Sequence, residues 1–97
     1  MPYIKPEDKP ELDDIISMFP QLTEPDLDYV ITQLAIRTLK HMPQKFISLN
    51  KIWGVMTGAA IEFYRRLVGP YEDLKAAENG DVYTDIRLWF KIYKEKG

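Results

Sequence analysis

Seven prolines partition this chain, because each fixes φ and withholds a backbone N–H, so regular structure must be laid between them. Pro2, Pro6 and Pro10 punctuate the first ten residues, and residues 1–9 are expected to form an extended arm entering a helix with Pro10 in its first turn. Leu12, Ile15, Ile16 and Phe19 then recur at the spacing of one helical face until Pro20 ends the run. Thr23 with Asp26 three residues on reads as a helix start that tolerates Pro25. From there Leu27, Val30, Ile31, Leu34, Ala35, Leu39 and Met42 keep helical period up to Pro43, which predicts a second helix over Glu24 to His41.

Pro43 to Pro70 is the longest stretch between two prolines, and it holds the most apolar segment. With Ser48 as cap, a third helix from Leu49 to Val68 would span roughly 30 Å. Ile52, Met56, Ala59, Phe63 and Leu67 form one apolar stripe, and Trp53, Ala60, Ile61, Tyr64 and Val68 widen it to most of the circumference. Gly54 and Gly58 lie one turn apart on a side between these stripes, a groove suited to close helix packing. Gly69-Pro70 is expected to break or kink the helix. Tyr71 to Glu78 follows as a short helix stopped by the turn at Asn79-Gly80. Ile86, Leu88, Phe90 and Ile92 alternate as a strand would, but no second strand is visible to pair with them, so Val82 to Tyr93 is read as helix. The expected fold is all-α: one domain over residues 1–97, four or five helices around the Leu49–Val68 helix, with 84–97 as a tail extension.

Composition narrows the function classes. Ninety-seven residues with 45% hydrophobic and 29% charged content suit one soluble domain, and a net charge of -2 provides no basic field for generic nucleic-acid binding. With no cysteine, disulfides, thiolate catalysis and Cys-ligated metals are out of reach. Neither a signal-peptide pattern at the start nor a run near the roughly 18 apolar residues of a membrane span is present, so a cytoplasmic protein without membrane association is expected.

His41 is the lone histidine, at the end of the second helix where the dipole favours it, and no companion ligands accompany it. Ser17 and Ser48 lie in no nucleophile elbow, and the glycines form no phosphate loop. Glu78 and Asp81 have a magnesium-type spacing, but the matching acidic pair on another helix is missing. No metal or cofactor is therefore expected, and binding is favoured over catalysis.

The densest functional set is Glu62-Phe63-Tyr64-Arg65-Arg66, followed by Tyr71-Glu72-Asp73 and Asn79-Gly80-Asp81-Val82-Tyr83. Guanidinium forks hold phosphate and tyrosines stack on bases, so Glu62, Tyr64, Arg65, Arg66, Tyr71, Asn79, Asp81 and Tyr83 are the candidate residues for a nucleotide-like ligand. The same residues could instead brace the fold, Glu62 pairing with Arg66 and Glu72 or Asp73 with Arg65.

Three stretches carry a resemblance: Asp26-Leu-Asp-Tyr-Val-Ile-Thr32, Asn50-Lys-Ile-Trp-Gly-Val55, and EFYRRLVGPYEDLKAAENGDVY from Glu62 to Tyr83. Together with the opening MPYI, they resemble a small family of bacterial and phage proteins whose pattern reads DLNYVIT, INxIxGV, EFYRRxxxPYEDxKxxENGDVY. The chain departs from it at Asp28, where Asn is common, in Thr57-Gly58-Ala59-Ala60, and after Tyr83. The resemblance implies a phage-type accessory protein acting in the host cytoplasm. On this reading it sequesters a small nucleotide-like or phosphorylated ligand in counter-defence. The alternative is an interaction module, an adaptor or inhibitor of a host or phage protein, with the EFYRR and PYED residues structural. A homo-oligomer, in its simplest form a two-fold dimer, is expected because a domain this small has little interior to cover such broad apolar faces.

Overall fold

The computed structural model describes residues 2–83 and Ile86, and these are helical throughout apart from turns and caps. A short 3-10 turn at Pro6–Asp8 leads into α1, Lys9–Ser17; α2 is Glu24–Lys40, α3 is Phe46–Phe63 and α4 is Gly69–Asn79. The extended arm is thus corrected, since its last residues already coil and α1 starts one residue before Pro10.

Local chemistry explains most boundaries. Thr23 and Asp26 close a reciprocal capping box, each side chain accepting from the other's backbone N–H at 3.4 Å. Gly80 ends α4 with φ +96°, a conformation costly for a side chain, while its N–H donates to the Ala76 carbonyl at 2.9 Å. Two expectations fail. Ser48 does not cap α3 but lies inside it, 2% exposed, because the helix begins directly after the turn at Pro43. Nor does Gly69-Pro70 break the chain. Residues Tyr64–Val68 form a π-turn, with the Gly69 N–H donating five residues back to the Tyr64 carbonyl. A proline ring would clash with the carbonyl four residues before it, and the wider turn relieves that clash, so the helix continues. Residues 46–79 are consequently one unbroken helical run. In place of four or five helices there are three runs among the described residues, the third the longest. The helical reading of Val82 to Tyr93 falls largely outside the described residues; of the three that are described, Ile86 is helical and Val82 and Tyr83 are not.

The chain divides into two units, Met1–Ala60 and Ile61–Gly97. In the first, α1 touches the 3-10 turn before it, but α1, α2 and α3 do not pack on one another. In the second, α4 follows directly on the π-turn, and their contacts are those of successive turns of one helix. No hydrophobic side chain is buried among the described residues. The groove at Gly54 and Gly58 is likewise unfilled by the described residues, since among them a Cβ added at either would meet nothing within 4 Å.

Candidate functional site

The polar signature sits in the second unit, carried by the end of α3, the π-turn, α4 and the residues after it. An Arg65 Nη2 donates to Glu62 Oε1 at 2.8 Å, one turn back along the helix. The Tyr64 hydroxyl donates to Glu72 Oε2 at 3.0 Å. Eight residues separate this pair, which in an uninterrupted α-helix would lie about 80° apart around the axis. The π-turn takes up one extra residue, so Glu72 returns to within about 20° of the Tyr64 face and comes within reach.

The expected bracing partners are therefore exchanged: Glu62 answers Arg65 rather than Arg66, and Glu72 takes the Tyr64 hydroxyl rather than an arginine. Arg66 is exposed and makes no ion pair or hydrogen bond among the described residues. Tyr71 lies on α4 with the Lys75 ammonium 5.6 Å from its ring centroid, and Lys75 also donates to Glu78 Oε2 at 3.2 Å. Asn79 is the last residue of α4, and Asp81 Oδ1 accepts the Tyr83 N–H at 2.8 Å in an Asx turn. Lys75 was no candidate from sequence, although a lysine four residues after a tyrosine on one helix is a readable signal.

A cavity of about 360 Å³ opens beside these residues, with Glu72, Asp73, Asp81 and Tyr83 on its wall. Among the described residues Lys75 is the only cation lining it, against three carboxylates, and neither Arg65 nor Arg66 reaches the wall. A second cavity, of about 660 Å³, lies in the first unit at the corner between α2 and α3, where Ile36, Leu39, Met42, Pro43, Phe46 and Leu49 contribute. No group of three metal-ligating side chains occurs among the described residues. No helix among them is long and apolar enough to cross a membrane.

The Glu72 hydrogen bond, followed by the charge of the same carboxylate, raises the Tyr64 phenol above its ordinary value of 10.0. A raised phenol pKa favours the folded state while the phenol stays protonated, so this contribution is full below pH 10 and is lost as pH climbs through the raised value. Tyrosine-resolved NMR titration should show Tyr64 ionising above 10.0. Glu72→Gln should return it toward 10.0, and an unchanged titration would show that the bond does not form in solution.

Residues 1–82 match the family of a domain of unknown function (DUF6899). No curated protein and no solved structure matches the chain.

Proposed function

We propose that this chain, which belongs to the DUF6899 family, is a protein–protein interaction module whose apolar helical faces are completed by a protein partner. One observation carries this reading: no hydrophobic side chain is buried among the described residues, although α3 contains only two charged residues in eighteen, Lys51 and Glu62. Helices of this length are marginal alone in water and gain most of their stability by packing an apolar face. A surface so apolar, with so little of it covered within the chain, is what a docking protein presents.

The polar signature fits a bracing role. Arg65 and Tyr64 are engaged with Glu62 and Glu72, and the described residues on the adjoining cavity wall carry three carboxylates and one lysine. Sequestration of a phosphorylated or nucleotide-like ligand would ask the arginines to converge on a concave wall, which they do not line. Thermal melts with nucleotides, cyclic nucleotides and sugar phosphates separate the readings. An interaction module should show no shift, whereas a ligand at 100 times its dissociation constant would add about 2.7 kcal/mol and restore the sequestration reading. Arg65→Ala should cost under about 1 kcal/mol, because its pair with Glu62 is solvent-accessible, with the Arg65 side chain 63% exposed.

A further inference from the structure

We infer that the partner is a second copy of this chain, and that two copies pair α2 against α2 in antiparallel about a two-fold axis, each Asp26 facing the partner's Arg37. The inference rests on the interaction reading above and names its partner.

Area comes first. In the first unit, large apolar side chains at least 39% exposed number three on α1, five on α2 and six on α3 before residue 61. At roughly 80 Å² each they offer on the order of 1,000 Å² of apolar surface per copy, above the roughly 800 Å² that a standard interface takes from each partner. No other helix of the first unit packs on α2. A chain that leaves this much uncovered needs a partner whenever it is made, and its own copy is always present at matching concentration.

Charge then selects the pairing. Residues 7–28 hold eight carboxylates and a single lysine, while residues 29–61 hold four cations and no carboxylate. On α2 this segregation becomes a register. Leu27, Ile31 and Leu34 fall within about 60° of one another and form a seam; they are 50%, 44% and 53% exposed. Asp26 and Arg37 both lie on one flank of that seam, about 20° apart around the axis and about 16 Å apart along it. The helix dipole accounts for the acid at one end and the base at the other, but not for their sharing a flank. An antiparallel two-fold pairing centred between them sets each Asp26 opposite the partner's Arg37, twice per dimer. A parallel two-fold pairing would instead set this flank against the partner's opposite flank, where Asp28 would meet Asp26 and only Ala35 and Leu39 would meet Arg37.

The test uses the full chain. Light scattering at micromolar concentration should give twice the 11.4 kDa of one chain. Arg37→Asp alone places like charges across the interface, and Asp26→Arg does so while also opening the Thr23 capping box; each should raise the dissociation constant about tenfold or more. Mixing the two variants should restore the dimer, because one chain then carries arginine at both positions and the other aspartate at both. This rescue cannot come from variants that have merely failed to fold. A mass of 11.4 kDa for the unmodified chain, a higher oligomer, variants that dimerise unchanged, or a mixture no tighter than its components would each overturn the pairing. Those outcomes leave the interaction reading standing, which falls instead to a nucleotide-induced thermal shift.

Discussion

A hundredfold dilution of the chain should lower its thermal midpoint by about 6–11 °C. A folded monomer unfolds at a temperature independent of concentration, whereas a chain that folds only with its partner obeys mass action. Each tenfold dilution then removes about 1.4 kcal/mol per dimer, and for two chains of this size each kcal/mol moves the midpoint by about 2–4 °C. The expectation follows from the uncovered apolar faces of α1, α2 and α3, which return little of the conformational entropy lost on folding. Circular dichroism melts across that range check it. A midpoint that does not move would mean that a single chain buries its own core, and the assembly reading would fall.

Leu34→Asp should have the other large effect. In the isolated chain Leu34 is half-exposed, and a surface substitution of that kind changes stability by about 0.5 kcal/mol or less. In the paired seam the same change removes a buried leucine, worth about 2–5 kcal/mol, and places a carboxylate there, once from each copy. The variant should therefore run as a monomer with reduced helical signal. Thr32→Asp, on nearly the opposite side of α2, introduces the same charge and should cost under about 1 kcal/mol. Equal effects at the two positions, read by urea titration followed by circular dichroism, would show that the seam does not exist.

Much of the molecule is legible in its residues because the responsible forces act within a few positions. The Thr23–Asp26 box, Pro10 in the first turn of α1 and the positive φ of Gly80 depend on capping and backbone sterics, so reading along the chain locates them. The same holds for the all-helical class, since the apolar spacing from Leu27 to Met42 admits no other regular structure. The site was legible in composition but not in pairing. An α-helical wheel puts Arg66 beside Glu62 and sets Tyr64 about 80° from Glu72; one extra residue in the π-turn changes the phase of everything after it. No local pattern marks that insertion, because it arises where a proline meets a helix stable enough to continue through it. Whether the apolar faces close on each other also lies beyond periodicity. A stripe of leucines states that it must be buried, and only tertiary structure decides against what: here the helices of the first unit leave their faces open, since burial is set by which surfaces meet in space and not by their order along the chain.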